Sequence, residues 1–276
     1  MRFGLPLTIL LLAFLGCGGP STSAVHEDTL DRIVATKVLR VGMNPGYAPF
    51  EMIDTDGNMI GFDPDVARYL AAQMGNGVRV EFVKSDWDPI IANLNAGKFD
   101  VILSGMTRTP QRALRVGFTD PYFETGQALL VNRAKVKPSP KLSWKDFDKP
   151  VVVVATRLGT TGEIVARKLF QRATIKTFEN ESDAAMEVDA GRADVMVYDQ
   201  PYIAIRTQES PERTFAILTP FTKEYLAMAV RPDDTRLRDW LNLTIFELKA
   251  SGAYDSLYDA WFVKMPWRSR VPKTGS

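Results

Sequence analysis

From Lys37 onward, short apolar strands alternate with amphipathic helices, a pattern that predicts an α/β fold of parallel strands and crossover helices. A repeated unit predicts two lobes of this kind. Ala96-Gly97-Lys98-Phe99-Asp100-Val101-Ile102-Leu103 is echoed by Ala190-Gly191-Arg192-Ala193-Asp194-Val195-Met196-Val197, each a helix end, a Gly turn and a buried strand. Chance reuse of a common helix-to-strand turn is the alternative. The third observation is how legible the helix starts are: Asp63-Pro64, Asp88-Pro89 and Thr109-Pro110 each set a capping side chain before a proline at the first helical position.

In order along the chain, Val38 to Met43, Val78 to Val83 and Val101 to Ser104 read as strands, with helical spacing over Asp65 to Met74 and Pro89 to Leu94. Asp56-Gly57, between Phe50-Glu51-Met52-Ile53 and Met59-Ile60, signals a hairpin; a calcium loop would need a Gly two residues later. A second lobe from about Thr125 to Pro220 holds strands Ala128 to Val131, Val151 to Ala155 and Val195 to Tyr198, and a helix Glu163 to Phe170. Tyr225 to Arg231 reads as a return strand, Asp234 to Ser251 and Tyr254 to Phe262 as closing helices. The chain passes between the lobes around Phe123 and Thr222.

With 276 residues and 45% hydrophobic content, the chain can bury one large core or two modest ones. A net charge of +1 argues against nucleic acid as a partner. Arg2 followed by the apolar run Phe3 to Leu15 reads as a secretory signal rather than a span. It ends at Phe14-Leu15-Gly16-Cys17, which resembles a lipobox with Phe14 where Leu is usual. Cys17 is then the lipidated residue, and 18–36 a tether and lead-in. The alternative is a signal with an incidental Cys. Cys17 is the only cysteine and His26 the only histidine, so zinc sites, Cys-His nucleophiles and Ser-His-Asp triads are unavailable. No metal or cofactor is expected.

The stretch Gly61-Phe62-Asp63-Pro64-Asp65-Val66-Ala67-Arg68-Tyr69-Leu70-Ala71, with Ser104-Gly105-Met106-Thr107 and Arg112 five residues on, resembles the family 3 solute-binding proteins of bacterial ABC transporters. These capture polar amino acids outside the inner membrane. Gly252-Ala253-Tyr254, Leu257 and Trp261-Phe262 resemble the family's C-terminal helix, so the likeness covers Val38 to Phe262. Pro64 departs from the aliphatic residue usual there, without losing a hydrogen bond at a first helical turn.

The resemblance implies a two-lobed type II periplasmic-binding-protein fold, each lobe a mostly parallel sheet flanked by helices, joined by two hinge strands. Lobe 1 would be 37–123 plus 224–264, lobe 2 124–223, and 265–276 a tail free to fray. The implied protein is a monomer, held at the membrane by lipid alone, that closes on a free amino acid and delivers it to a permease.

Open α/β sheets hold ligands beyond the carboxyl ends of their strands, and three loops lie at such ends. In the first, the family pattern makes Thr107 and Arg112 the grip on the ligand carboxylate and Gly105 an ammonium acceptor; a guanidinium fork suits a carboxylate. The second, Leu158-Gly159-Thr160-Thr161-Gly162, opens a helix whose free N–H groups attract an anion; the resemblance implies that this loop grips the same carboxylate from the other lobe, through Thr161. The third ends at Tyr198-Asp199, where the family's Asp accepts from the ligand ammonium; a helix cap before Gln200-Pro201 is the alternative. Tyr47 and Trp87 match positions that sandwich the ligand side chain. Asn44, Arg157, Ser104, Thr160 and Tyr198 complete the side-chain pocket. Lysine, arginine and histidine binders typically place Asp at the position of Asn44, so a polar uncharged or acidic ligand is expected.

Two other readings stand beside this one. Cyclohexadienyl dehydratases share the fold but use a Glu as general acid where this chain has Tyr202, a poor acid near neutral pH. A sensor acting in trans on a membrane receptor would use the same pocket.

Overall fold

The computed structural model describes residues 28–75 and 77–271. The lipobox, Cys17, His26 and most of the expected tether lie outside them. The remainder of the lead-in is a helix, α1 (Thr29–Thr36), capped by Asp28, whose carboxylate accepts from Leu30 N–H and Asp31 N–H.

The first lobe follows with β1 (Val38–Met43), the hairpin β2 (Met52–Ile53) and β3 (Met59–Ile60), α2 (Phe62–Gln73), β4 (Arg79–Lys84), α3 (Ile90–Asn95), β5 (Val101–Ile102), α4 (Pro110–Ala113) and β6 (Gly117–Thr125). The second comprises β7 (Gln127–Asn132), β8 (Val153–Arg157), α5 (Thr161–Leu169), β9 (Thr174–Phe178), α6 (Glu181–Asp189), β10 (Val195–Asp199), α7 (Gln200–Glu209) and β11 (Thr214–Ile217). The chain then returns through β12 (Glu224–Val230), α8 (Thr235–Ala250) and α9 (Ala253–Tyr258).

Two five-stranded sheets result, ordered β4-β1-β5-β12-β6 and β11-β7-β10-β8-β9. They are built alike: three parallel strands (β4, β1, β5 and β9, β8, β10), a fourth antiparallel to them (β12 and β7), and a fifth antiparallel to the fourth (β6 and β11). The repeated sequence unit occupies the same place in each. Gly97 and Gly191 turn at φ +72° and +71°. Asp100 then accepts from Arg40 N–H on β1, and Asp194 from Val153 N–H at β8, at 2.9 and 2.7 Å. Each Asp thereby ties its strand to the leading strand of its own sheet. Helices cover both faces: α3 packs Ile90, Ile91 and Leu94 on one face of the first sheet, and α5 packs Ala166 on one face of the second. The largest core cluster joins α2, α6, α7 and α8 across both lobes.

Several expectations are corrected. Helix α2 begins at Phe62 with Gly61 before it, so Asp63 is a buried first-turn residue rather than the cap. Pro89, not Asp88, precedes α3, and no side chain caps that helix. Thr109 does cap α4, accepting from Arg112 N–H. Val151 is exposed, and β8 starts two residues later. β9 and β11 escaped the sequence reading, and α6 and α7 entered it only as a helix end at Ala190 and a helix start after Asp199. Their strands and helices have polar, part-exposed faces that blunt the apolar pattern. Phe123 lies inside β6, while Thr222 sits in a turn before β12 and accepts from Gln127 N–H.

The C-terminal segment is docked rather than frayed as far as Val271. A π-helical turn (Asp259–Lys264) leads to Trp267, which is buried against Trp261 and donates to its carbonyl at 2.9 Å. Arg270 pairs with Asp54 at 2.8 Å, and Arg268 reaches Gln208 on α7. Removing a buried aromatic costs about 3–5 kcal/mol. Trp267→Ala is therefore expected to lower the urea midpoint by about that much stability, and a change below about 1 kcal/mol would show the segment to be dispensable.

Candidate functional site

The carboxyl ends of β1, β5, β8 and β10 converge on one cleft between the sheets. All twelve pocket residues anticipated from the loops line it: Asn44, Tyr47, Trp87, Ser104, Gly105, Thr107, Arg112, Arg157, Thr160, Thr161, Tyr198 and Asp199, joined by Glu51.

The Ser104–Arg112 loop supplies one wall. Gly105 sits at φ +52°, and a Cβ there would lie 2.3 Å from the Tyr47 ring, so only glycine fits. Its N–H donates to Asp63 at 2.8 Å, which makes the buried first-turn Asp of α2 the anchor of this loop. Arg112 donates to the Thr107 carbonyl at 2.7 Å and the Gly159 carbonyl at 3.2 Å, with its guanidinium 5.2 Å from the Trp87 ring. Two bonds leave further N–H groups of a five-donor fork for a ligand. Trp87 also donates to the Gly159 carbonyl, at 3.1 Å, so one carbonyl of lobe 2 is held by two residues of lobe 1.

The opposite wall is Tyr198-Asp199. Asp199 is 7% exposed; its carboxylate accepts from the Tyr47 hydroxyl and from Gln127 Nε2, the latter at 2.5 Å. Burial, then the charge of Glu224, pushes its pKa up to about 7, opposed by the Tyr47 and Gln127 bonds and by Arg112. An ammonium placed here would return Asp199 to its ionised form.

At the side-chain end, Arg157 is committed to the protein. It donates to Glu181 at 2.7 Å, to the Glu179 carbonyl at 3.1 Å and to Asn44 Oδ1 at 2.5 Å. Asn44 in turn donates to the Ser85 carbonyl, so both ends of its amide are engaged. Ser104 accepts from Asn44 N–H and donates to Glu51 at 2.6 Å. Thr160 donates to the Arg157 carbonyl, and Tyr198 packs edge-on against Tyr47.

Four residues escaped the sequence reading. Glu51 is 1% exposed, lines the cleft, and lies against the buried carboxyl of Asp63. Burial, then the charge of Asp63, raises its pKa well above the usual range. Glu181 balances Arg157. Gln127 and Glu224 stand behind the lining, Glu224 accepting from both Thr107 and Thr161. In the sequence Glu51 reads as a polar residue of a hairpin and the others as ordinary element positions.

Tyr202 is buried beside Tyr47 and Tyr198, at ring distances of 6.3 and 5.1 Å, and burial raises its pKa well above the usual range. Among the described residues, no helix is long and apolar enough to cross a membrane.

The family model for bacterial extracellular solute-binding proteins, family 3, matches residues 39–264. The chain is similar to a probable histidine-binding protein of Neisseria gonorrhoeae, 34% identical over 92% of each chain. It is also similar to an ABC transporter glutamine-binding protein of Bacillus subtilis, 29% identical over 94% of each. Among solved structures it resembles an ancestral amino acid-binding protein described as a precursor of cyclohexadienyl dehydratase, at 43% identity and TM-score 0.78. It likewise resembles a lysine complex from Wolinella succinogenes assigned as an ABC transporter binding component, at 41% identity and TM-score 0.80. In both cases 85% of this chain and 99% of the other are covered.

The raised carboxyls of the cleft fix the sign of the pH dependence of stability. Burial holds Asp63 and Asp199 protonated up to about 7, whereas unfolded carboxyls release their protons near 3.8. The native state therefore binds more protons in that window, so the stabilisation is complete below it and lost as pH rises through about 7. Denaturant titrations should show stability falling between about pH 5 and 7, by about 1.4 kcal/mol per unit for each group. Asp199→Asn should remove its share of the slope. A profile rising over this range would mean the carboxyls are ionised in the fold.

Proposed function

The chain belongs to the bacterial extracellular solute-binding proteins, family 3, and on that premise we propose that it captures a free α-amino acid outside the cytoplasmic membrane and delivers it to an ABC transporter permease. The observation that carries this reading is the opposition of Arg112 and Asp199 across one cleft, with Thr107 and Thr161 at the seam between the lobes. A zwitterion needs a donor cluster and an acceptor cluster lining one space, and both are desolvated enough to be strong.

In this proposal Arg112, Thr107 and Thr161 take the carboxylate, Asp199 and the Gly105 carbonyl take the ammonium, and Tyr47 and Trp87 flank the side chain. Lobe 1 is 37–123 plus 224–264, lobe 2 is 124–223, and Cys17 carries the lipid that holds a monomer at the membrane. Closure is a population shift toward contacts that span both lobes.

The side-chain pocket favours a nitrogen-bearing polar ligand, such as glutamine, histidine, lysine or arginine. Asn44 had pointed to an uncharged or acidic side chain for want of a counter-ion. Glu51 supplies an alternative carboxyl lining the cleft that can pair with an amide, imidazole or ammonium. The acidic half of that expectation loses support, because Arg157 is already paired with Glu181. Relatives named for histidine, arginine and glutamine are in keeping with this. A dehydratase would need an acid where Tyr202 presents a buried phenol.

Thermal unfolding of the chain from Asp28 onward, refolded free of bound solute, against the common amino acids and prephenate tests the reading. A hundredfold excess over the dissociation constant adds about 2.7 kcal/mol. Stabilisation by one or two nitrogen-bearing amino acids is expected; stabilisation by none, or by glutamate above all, would overturn it. Arg112→Ala should then weaken the ligand by about 2–5 kcal/mol. A loss under about tenfold, 1.4 kcal/mol, would place the carboxylate elsewhere.

A further inference from the structure

Glu224 opens β12, where the chain re-enters the first lobe, and it is 7% exposed. Its Oε2 accepts from the Thr107 hydroxyl at 3.0 Å and from the Thr161 hydroxyl at 2.7 Å, one residue from each lobe. Its Oε1 accepts from Thr222 at 3.1 Å. The two cleft hydroxyls stand 3.4 Å apart, converging on the same oxygen.

A threonine hydroxyl has a single proton. With both protons given to Glu224, Thr107 and Thr161 turn only lone pairs toward the cleft, and lone pairs repel a carboxylate. Arg112 is drawn to the same residue: burial lowers its pKa, and the largest opposing effect is the charge of Glu224. The donor set that should receive an anionic ligand is therefore already serving an anion of the protein.

We propose that Glu224 determines the affinity of the cleft by competing with the ligand carboxylate for the donors of both lobes. A carboxylate arriving at Arg112 gains the two hydroxyls only as they rotate away from Glu224, which stays buried behind them. The exchange weakens capture and speeds release, a property that delivery of cargo requires. When the ligand departs, the hydroxyls and Glu224 satisfy one another again, so no buried polar group is stranded. This inference rests on the amino acid-binding reading and concerns how tightly, not whether, the site holds its ligand.

The test is calorimetric titration of the mature chain with L-lysine, L-histidine, L-arginine and L-glutamine, comparing wild type with Glu224→Gln and Glu224→Asp. Glu224→Gln keeps the shape and removes the charge; Glu224→Asp withdraws the charge by one methylene. Tightening by about tenfold for Glu224→Gln is expected, with a smaller gain for Glu224→Asp and a slower dissociation rate. In a Thr107→Val, Thr161→Val background, where no contested proton remains, the gain should shrink by at least about half. A merely structural Glu224 would instead give weaker binding and a lower melting temperature. Unchanged or weaker binding by a folded Glu224→Gln overturns the proposal, and if that variant fails to fold, Glu224→Asp decides by the same sign. Wild type that binds none of the four amino acids would sink the binding reading and this inference with it. Wild type that binds without any gain in the variants sinks this inference alone.

Discussion

The antiparallel pairing of β6 with β12, from Gly117 opposite Val230 to Thr125 opposite Glu224, is the constraint on which the rest of the molecule depends. One strand carries the chain out of the first sheet and the other brings it back. Gly126 makes the turn beyond β6; a Cβ there would lie 2.1 Å from the Thr222 carbonyl, so the two crossings lie against each other. Because both lobes hang from this pair, a residue at its end touches both. Glu224 is that residue, and Thr107, Thr161 and Thr222 gather around it.

The second determinant is electrostatic. Glu51, Asp63, Asp199, Glu181 and Glu224 are all buried within or behind one cleft, with Arg112 and Arg157 as the cations. Burial penalises charge, so two of these carboxyls are held protonated to about 7, while Glu181 is paired with Arg157. Such a site is costly to the fold and responsive to a zwitterion that brings both charges at once. Asp199 in the cleft wall and Glu224 behind it each have hydrogen-bond partners from both lobes.

Duplication of a single architectural plan explains how two walls came to face each other. Asp100 and Asp194 perform the same task after the same Gly turn, and each sheet continues from parallel to antiparallel strands in the same order. Carboxyl ends of equivalent strands then meet across the cleft: β5 leads to Ser104 and Thr107, β10 to Asp199. The lobes are alike in strands and unlike in loops, as expected when loops carry binding and sheets carry stability.

Period and turn chemistry determined a good deal at the level of sequence. β1 was legible to the residue, α8 nearly so, and the echo announced two lobes, because apolar alternation and Gly turns are local properties. The resemblance to family 3 solute-binding proteins also implied that Thr107, Arg112, Thr161 and Asp199 share one site. What only the tertiary structure decided is which polar groups share a desolvated space. Asp63 looks like a cap in the sequence and is the anchor of Gly105; Arg157 looks like a free cation and is spoken for by Glu181 and Asn44. Glu51 and Glu224 carry no local signature, since their significance lies in partners 53 and 117 residues away. Hydrogen bonds over such separations depend on how two sheets are brought together, and no window of sequence contains that information.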